Sequence, residues 1–468
     1  MLRKTQKVEL LLVNRPGVLD RAIGHIRREG WNIKSLQVDE TNDPDVSLLE
    51  MFIEGTHTKL ALVVEKLASI DCVLRASMTL NGETIVREQQ SPTLFSEETE
   101  ESPIPAVPQK PFGAYRILTI NPGSTSTKFA VYDNESAILT RVVHHDRKAL
   151  ESCGSIAEQR GLRLKHILDE LYAHQVPLDS FDAIAGRGGL LRPIESGVYR
   201  INKKILDDLS SATASVHASA LGAIIAEELA KRIGINAYVV DPIVVDEMDP
   251  AARITGMPGI ERSSIFHALN QKAIARRLAG ELGVSYESLR IVVAHLGGGI
   301  TVGAHRYGRV IDVNDALSGE GPFTPERTGA IPAVPLIKMC FSGEYSEEEL
   351  LERVTRSGGM QSYLGTNDLR TAQKMINDGD EFAALVIDSM AYQVSKEIGA
   401  MSAVLDGRVD AIILTGGLAY SSRFTGSIKQ RVDALAPVHV YPGEDEMFAL
   451  MSGVLRVLRE EETPLEYN

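Results

Sequence analysis

Cysteine is scarce in this chain, and long apolar runs and an excess of positive charge are missing. The three cysteines, Cys72, Cys153 and Cys340, lie far apart without metal-ligand spacing. This pattern predicts unpaired thiols, as in a reducing cytosol. No apolar run approaches the ~20 residues that a membrane span needs, and the first residues lack a secretory pattern. We therefore expect a cytoplasmic protein.

The charge and composition narrow the class further. A formal net charge of −14 argues against nucleic acid and anionic membranes as partners, since both are bound by clustered positive charge. A hydrophobic content of 44% with 24% charged residues describes a soluble globular protein with ample core. At roughly 150 residues per domain, the 468 residues predict about three folding units.

The clearest boundary is a segment at 91–113 that is rich in proline and glutamate. It contains Pro92, Glu97, Glu98, Glu100, Glu101, Pro103, Pro105, Pro108 and Pro111. Proline and like charge together disfavour a packed core and predict a semi-extended linker. We expect a regulatory unit at 1–85, a linker at 86–113, and the two lobes of a larger unit at 114–285 and 286–468. The C-terminal helix is expected to be able to pack back on the first lobe.

A hairpin turn at 121–128, Asn-Pro-Gly-Ser-Thr-Ser-Thr-Lys, lies between two apolar strand-like runs. Such a turn presents backbone N–H groups and the hydroxyls of Ser124 and Ser126, which suit phosphate oxygens. It is not a Walker loop, because that spacing is missing and no helix opens after it. Taken alone, the turn is equally typical of ordinary surface chemistry.

Two further strands run into glycine turns. One precedes Gly297, Gly298 and Gly299, and the other ends in Gly416 and Gly417. The first of these and the hairpin at 121–128 look alike, which indicates an internal duplication. A single glycine turn can be purely structural, whereas three favour two lobes closing on a nucleotide. After the linker, strands alternate with amphipathic helices, which are expected at 215–232, 264–282 and 381–405, as in an α/β protein.

From near Tyr115 onward, about three-quarters of the chain, the sequence resembles the acetate and butyrate kinase family. The hairpin fits the pattern N-x-G-S-[ST]-S-x-K. The segment at 185–191, Ala-Gly-Arg-Gly-Gly-Leu-Leu, is similar to the butyrate kinase version. The resemblance implies a two-lobed, duplicated actin-like ATPase fold. It also implies reversible phosphoryl transfer between MgATP and a short-chain fatty acid, butyrate or a branched acid, giving an acyl phosphate and ADP.

Such a reaction needs no general base, because the acid is already ionised. It needs positioning and cationic clamps for two anions. Arg187 lies between two glycines and Arg327 lies in a loop; a surface ion pair is the alternative for each. The resemblance makes both arginines clamps, and the planar guanidinium fork suits an oxyanion.

The other catalytic candidates come from the same resemblance. It places His217 and His267 at the active site, with His267 bonding the phosphoryl oxygens; buried structural histidines are the alternative. Asp241 follows a strand at the edge where ligands bind in α/β sheets, and it is expected to order Mg²⁺, its waters and a clamp arginine unless it caps a helix. His295 is expected to form a wall of the phosphate site.

The remaining candidates would bind the cofactor. The resemblance brings Asn121 to the phosphoryl site, whereas Lys128 has a structural alternative. It places the glycines at 297–299 along the ATP phosphates and those at 416–417 beside adenosine. The metal-associated acid is Glu444, or Glu446 if the register shifts; Mg²⁺ takes few protein carboxylates, and an acidic helix N-terminus is the competing explanation. Val216 and Phe266 are expected to wall the acyl pocket.

The first unit reads as strand, helix, strand, strand, helix, strand, which is the ferredoxin-like order. Its text, including residues 14–19 and 27–36, resembles ACT domains of acetolactate synthase regulatory subunits. The resemblance implies a branched-chain amino-acid effector at Asn14, Gly17 and Asn32, and a homodimer or larger assembly. The alternative is that these residues only shape a turn and a strand, in a domain used for assembly.

Three other functions stay open from the sequence. The chain could be an acetate or propionate kinase, since the residues do not fix acyl chain length. It could also be a non-catalytic nucleotide sensor, although no clamp or glycine turn is missing. A sugar kinase would need a base for an alcohol, and no standard Asp-Gly loop of that kind is evident.

Overall fold

The computed structural model describes residues 4–13, 32–41, 46–55, 64, 67, 73–80, 83–88, 107–153, 155–156, 158–210 and 218–468. The chain divides into two compact units, Met1–Pro103 and Ile104–Asn468. Within those ranges no helix has the length and apolarity to cross a bilayer. Cys153 and Cys340 are free thiols, and Cys72 lies outside the described ranges.

The first unit contains a five-stranded antiparallel sheet in the order β2-β3-β1-β4-β5. Its strands are β1 Lys4–Val13, β2 Asn32–Glu40, β3 Val46–Gly55, β4 Val73–Leu80 and β5 Glu83–Glu88. Alternate side chains are buried, as Val8 and Leu10 on β1 lie opposite Met51 and Leu49 on β3. The four predicted strands are confirmed. The helix predicted between the first two strands lies outside the described residues.

The second unit contains two sheets. The first has the strands β6 Arg116–Pro122, β7 Ser126–Asp133, β8 Ser136–His144, β9 Ala183–Gly186, β10 Val198–Arg200 and β11 Asn236–Val240. Its helices are α1 Arg147–Glu151, α2 Gln159–Ala173, α3 Lys203–Leu209, α4 Ala220–Ile233, α5 Pro250–Arg253 and α6 Ala268–Leu282. The strand order is β10-β11-β9-β6-β7-β8.

The second sheet has the order β14-β13-β12-β15-β16. Its strands are β12 Arg290–Leu296, β13 Ile300–Arg306, β14 Arg309–Val313, β15 Ala411–Gly416 and β16 Val438–Pro442. The helices that follow β14 are α7 Ala333–Cys340, α8 Glu347–Thr355, α9 Gly359–Leu364, α10 Leu369–Asn377, α11 Glu381–Val404, α12 Ser422–Val432 and α13 Glu446–Leu458. Short 3-10 turns occur at Leu178–Ser180, Tyr286–Ser288 and Gly417–Tyr420.

The two sheets repeat one topology. In the first, an antiparallel β6-β7-β8 meander is followed by β9 parallel to β6 and β11 parallel to β9. In the second, β12-β13-β14 is followed by β15 parallel to β12 and β16 parallel to β15. The duplication inferred from the two glycine hairpins is therefore present in the fold.

Helices α6 and α13 pack against each other and link the two lobes. Although α6 precedes β12 in the chain, Leu278 and Ala279 pack on the second sheet. Leu450 and Val454 of α13 pack back on the first sheet. The first turns of both helices also lie together. The Asn270 amide of α6 donates a 2.7 Å hydrogen bond to the carbonyl of Glu444, just before α13.

Helix α6 begins later than its apolar pattern suggests, at Ala268 rather than near Ser264. The Ser264 hydroxyl donates to the Val245 carbonyl at 2.7 Å, and the Phe266 N–H donates to the Ile243 carbonyl at 3.1 Å. These tertiary bonds hold the segment extended. As a result, His267 stands at the helix N-terminus instead of inside the first turn.

Candidate active site

Two stacked histidines lie where the lobes meet. His267 precedes α6 and His295 lies near the end of β12, and their ring centroids are 3.7 Å apart with planes at 10°. Each ring is anchored through Nδ1: that of His267 lies 2.9 Å from Thr301 Oγ1, and that of His295 lies 2.7 Å from Asn270 Oδ1. Both Nε2 atoms are thus left on the sides of the rings away from these anchors.

The turn at Gly297–Gly299 passes beside these rings. A Cβ on Gly299 would collide with the Arg327 guanidinium and lie 3.5 Å from His267 Cε1. A Cβ on Gly297 would lie 3.0 Å from His295 Nε2, and one on Gly298 would lie 3.7 Å from a Glu326 oxygen. The absence of side chains therefore lets the backbone reach the charged groups, as a phosphate-binding turn requires.

Hydrogen bonds from the backbone N–H and from the guanidinium of Arg327 fix its loop. Its N–H donates to Thr324 Oγ1 at 3.0 Å, and its Nη1 donates to the Ala316 carbonyl at 2.6 Å. Burial lowers its pKa, although Glu326 and Asp315 act against that shift. The partly desolvated Arg327 guanidinium therefore lies beside the glycine turn.

Arg187 is positioned by close backbone packing. It follows β9, and its N–H donates to the Ile120 carbonyl at 2.9 Å. A Cβ on Gly186 or Gly222 would overlap opposing backbone atoms, so both glycines are needed for the loop to pack on α4. The Arg187 guanidinium forms an ion pair with Glu446, which also accepts a hydrogen bond from Asn121.

The charges of both arginines act on His267. Burial lowers the pKa of His267 well below its usual value, and the charges of His295, Arg187 and Arg327 act in the same direction. Arg327 lies beside this ring, because a single Cβ on Gly299 would contact both its guanidinium and His267 Cε1.

The two candidate acids are in different surroundings. Both carboxylate oxygens of Glu446 are engaged by Arg187 and Asn121. Glu444 is 46% exposed, and its Oε1 lies 3.5 Å from His295 Nε2. His295 lowers the pKa of Glu444, with further lowering by the charges of Arg187 and Lys128. Glu444 is therefore the freer acid, whereas Glu446 secures the clamp.

Asp241 has other partners than expected. It is buried at a positive φ of 36°, and accepts hydrogen bonds from the Ser196 hydroxyl at 2.6 Å and the Gly197 N–H at 2.9 Å. Its other oxygen lies 3.4 Å from Arg276 Nη1. In these contacts Asp241 orders Arg276 rather than Arg187 or Arg327. It lines a cavity of about 640 Å³ together with Arg276 and Glu444.

The first hairpin approaches the site through its strands. Asn121 and Lys128 lie opposite each other in the β6–β7 pair, and they act on Glu446 and Glu444 respectively. Ser124 and Ser126 lie in the turn, where their backbone carbonyls accept bonds of 3.1 and 2.8 Å from Arg163.

The third glycine turn lies beside a second cavity. Gly416 has φ 92°, and a Cβ there would overlap the Leu296 backbone, so β15 and β12 approach closely at their ends. Gly417 helps to line a cavity of about 1030 Å³ with Asn367, Arg370 and Tyr420. This space adjoins the strand ends, where open α/β sheets bind ligands.

Some predicted residues are not placed at the site. His217, Val216, Asn14 and Gly17 lie outside the described residues. Asn32 opens β2, opposite Glu54 of β3. Phe266 is 1% exposed and packs in a small core with Val245, Val310 and Val313.

Two family models match the chain. Residues 255–438 match the acetokinase family, and residues 8–75 match the AHAS small subunit-like ACT domain. The first match lies within the larger of the two compact units, and the second lies within the smaller one.

Three solved structures resemble the larger unit. They are acetate kinase from Porphyromonas gingivalis (20% identity, TM-score 0.61, covering 74% of this chain and 100% of that one), a propionate kinase from Francisella tularensis (19%, 0.59, 72% and 98%), and acetate kinase from Entamoeba histolytica (17%, 0.59, 72% and 98%). At these identities the likeness shows the fold, and the expected two-lobed acetokinase fold behind an ACT domain is confirmed.

Sequence reasoning missed several residues that shape the acetokinase domain's site. Thr301 and Asn270 anchor the two histidines, and Arg163 holds the hairpin carbonyls. Asn270 lies three residues after His267, a spacing that places both near one helix N-terminus. Thr301 and Arg163 carry no such signal, because their contacts depend on strand and helix packing distant in sequence.

Proposed function

We propose that the acetokinase domain transfers the γ-phosphoryl group of MgATP reversibly to a short-chain fatty acid, butyrate or a branched acid. The observation that carries this proposal is that Arg327, His267 and the turn at Gly297–Gly299 lie side by side, while the charge of Arg187, held by Glu446, also acts on His267. Two cations and an imidazole in one site suit two anions that must be brought together, because phosphoryl transfer depends on positioning and charge stabilisation.

A carboxylate acceptor needs no general base, which also supports a carboxylate kinase. A carboxylate is ionised at neutral pH, so the attacking oxygen needs alignment rather than deprotonation. The ion pair between Arg187 and Glu446 keeps the guanidinium fork in one orientation, and a planar fork binds a carboxylate or phosphate through two parallel hydrogen bonds.

The three glycine turns offer the nucleotide its place in this proposal. We assign the phosphates to the turn at Gly297–Gly299 and the nucleoside to the cavity beside Gly417. The first hairpin, with Asn121 and Lys128, closes the phosphate end from the opposite lobe. Both lobes thus contribute one hairpin to the same ligand, as the duplication suggests.

Mg²⁺ fits the acids that the site offers. Across the described residues no group of three or more His, Cys, Asp or Glu side chains is arranged to hold a metal ion. Mg²⁺ instead keeps several waters and takes one or two carboxylates plus substrate phosphates. Glu444 is the acid that would hold it, because Glu446 is already paired. When bound, the ion neutralises phosphate charge.

The substrate panel that tests the proposal contains acetate, propionate, butyrate, isobutyrate and isovalerate. ADP release is measured with the full chain, MgATP and each acid, and hydroxylamine traps the acyl phosphate. We expect the highest kcat/KM for butyrate or a branched acid. Highest activity on acetate or propionate would reassign the substrate within the same chemistry. No turnover on any acid would leave a nucleotide-binding protein without this activity.

We also propose that the ACT domain binds a branched-chain amino acid that alters kinase activity. The support is the match of residues 8–75 to the AHAS small subunit-like ACT domain, together with its attachment to a domain suited to short acids. Titration calorimetry of the full chain with valine, leucine and isoleucine tests this. Heat from one of them, with a change in kcat or KM, is expected, whereas no heat from any would leave the domain a role in assembly.

Self-association is proposed as well, with a second copy of the chain as the partner. Among the described residues, helix α7 has no buried side chain, and Val334, Ile337, Met339 and the following Phe341 are 64%, 54%, 42% and 87% exposed. An apolar face of this kind is typical of an interface. Sedimentation velocity should show a dimer or larger species that Ile337→Glu dissociates. A monomeric wild type would refute the proposal.

A further inference from the structure

A continuous file of hydrogen bonds runs behind the candidate site from Tyr286 to His267. Its successive distances are 2.7 Å from Tyr286 Oη to His305 Nδ1, 3.0 Å from His305 Nε2 to Gln271 Oε1, 2.9 Å from Gln271 Nε2 to Thr301 Oγ1, and 2.9 Å from Thr301 Oγ1 to His267 Nδ1. Gln271, Thr301 and His305 are 0% exposed. Of the five residues, His267 alone is partly exposed.

The direction of donation in this file follows from the Gln271 amide. Its Nε2 also lies 3.1 Å from the Thr301 carbonyl oxygen, which can only accept. The amide NH₂ therefore faces Thr301 and the amide oxygen faces His305. His305 must then carry its hydrogen on Nε2. Burial lowers the pKa of His305 well below its usual value, so the ring is neutral and its Nδ1 accepts from the Tyr286 hydroxyl.

The Thr301 hydroxyl accepts from Gln271 and needs an acceptor for its own hydrogen. Buried hydroxyls are almost always paired, and the His267 Nδ1 lies 2.9 Å away. A neutral imidazole that accepts at Nδ1 carries its hydrogen on Nε2. The hydrogen-bond partners thus assign the Nε2–H tautomer to His267.

We propose that Thr301 is a positioning residue that holds His267 as the Nε2–H tautomer, so that its free ring N–H is offered to the transferring phosphoryl group. The role in catalysis rests on the proposed kinase activity, whereas the tautomer itself does not. The opposite tautomer would turn a nitrogen lone pair toward an anion, which repels it. A donor aimed at developing charge is one of the stronger devices in catalysis.

The neighbouring ring provides an internal contrast. The Asn270 amide donates to the Glu444 carbonyl, so its oxygen faces His295 and must accept from the Nδ1–H of that ring. His295 and His267 are stacked, yet their Nδ1 atoms have opposite roles. His295 Nε2 is buried and lies 3.5 Å from Glu444 Oε1.

The test reads the tautomer directly in the full chain. Protein with ¹⁵N-labelled histidine is studied by two-bond correlations between the ring hydrogens and nitrogens, which separate the two tautomers. Among the 11 histidines, the His267 signals are identified by their loss in His267→Gln. We expect Nε2–H for His267 in the wild type. Thr301→Val, which keeps the shape without the hydroxyl, should shift His267 toward a mixture of tautomers, and Thr301→Ser should restore the wild-type signals.

Kinetics supply the second readout. Thr301→Val should lower kcat at least about tenfold, the scale of one proton-donor interaction, with little change in the KM for ATP, and Thr301→Ser should recover most of kcat. Thr119→Val is the matched control, because Thr119 is also a fully buried strand threonine but donates to the Ala130 carbonyl at 3.3 Å; it should change neither tautomer nor kcat beyond twofold.

Two results would overturn the proposal. One is a wild-type His267 with its hydrogen on Nδ1. The other is Thr301→Val with unchanged His267 signals and kcat within twofold of wild type. If Thr301→Val does not fold, the wild-type tautomer and the Thr301→Ser spectrum decide. If no acid is turned over, the kinase assignment fails by itself, while the ring spectra still confirm or refute the tautomer.

Discussion

The rings of His267 and His295 lie face to face, with their centroids 3.7 Å apart. His267 is tied to the second sheet through Thr301, and His295 is tied to helix α6 through Asn270. The stack therefore joins the helix that crosses between lobes to the glycine-turn strand. Its geometry depends on anchors at both ends.

Removing one anchor should disturb the stack. Asn270→Ala loses the 2.7 Å bonds to His295 and to the Glu444 carbonyl. We expect kcat to fall at least about tenfold, and unfolding free energy to fall by about 1–3 kcal/mol, the usual cost of breaking buried hydrogen bonds. Steady-state kinetics and chemical denaturation measure the two effects. Asn202→Ala, which removes a cap of α3, is the control and should affect stability alone; equal kcat in both variants would contradict the positional role.

Loss of a clamp should be far more severe. Arg327→Ala should lower kcat on the order of a thousandfold, the size reported for cationic clamps in phosphoryl transfer. Arg327→Lys keeps the charge without the fork and should fall between. Initial rates at saturating MgATP and acid measure this. Arg431→Ala changes an exposed arginine bonded to Ser427 on its own helix α12 and should stay within twofold. An Arg327→Ala enzyme within tenfold of wild type would remove the residue from the mechanism.

The first hairpin should depend on Arg163. This arginine is 0% exposed and donates to the carbonyls of Ser124 and Ser126, which shape the turn. Arg163→Met should raise the KM for ATP about tenfold, a loss of roughly 1.4 kcal/mol in binding, with less effect on the KM for the acid. Arg160→Met changes a half-exposed arginine of the same helix and serves as control. A raised KM for the acid alone would place the hairpin at the other substrate.

Stability should fall at mildly acidic pH because of His145. Burial lowers its pKa to about 4, with further lowering by Arg163, His166 and His144. The folded state therefore binds fewer protons than the unfolded state, whose histidine has a pKa of about 6.5. The contribution of His145 to the free energy of unfolding is fully present above pH ~6.5 and is lost as the pH falls toward ~4.

Between those limits the loss should approach about 1.4 kcal/mol per pH unit for one histidine. Chemical denaturation of wild type and His145→Asn at several pH values measures the difference in slope. His439→Asn, on strand β16 of the other lobe, is the control. A wild type and His145→Asn with parallel pH curves would contradict the assignment.

Periodic and repeated features could be predicted from the sequence. Alternating apolar residues gave the ACT strands, and the two similar glycine hairpins gave the duplication that the sheets display. Strand β5 was not expected, because a six-residue segment beside the linker is identified as a strand only through its pairing with β4. Helix α6 begins later than its apolar pattern predicts, because Ser264 and Phe266 form tertiary hydrogen bonds instead of helical ones.

The site was less accessible than the fold. Glycine-flanked Arg187 and the turn at Gly297–Gly299 carry local signals, and the structure pairs Arg187 with Glu446 and brings the turn to His267. Thr301 and Arg163 carry none, because a buried threonine or arginine reads as ordinary until its partner is known. Asp241 satisfied a local rule about strand ends, yet its bonds go to Ser196, Gly197 and Arg276. Contacts between distant segments are what a single sequence does not reveal.

The most direct test of the central claim is a crystal structure of the full chain with ADP, Mg²⁺, aluminium fluoride and butyrate. Aluminium fluoride acts as an analogue of the phosphoryl group during its transfer between ADP and the acid. We predict fluorine atoms within about 3 Å of the guanidinium groups of both Arg187 and Arg327 and of His267 Nε2. A fluoride bound away from these groups, or contacted by only one of the arginines, would contradict the account.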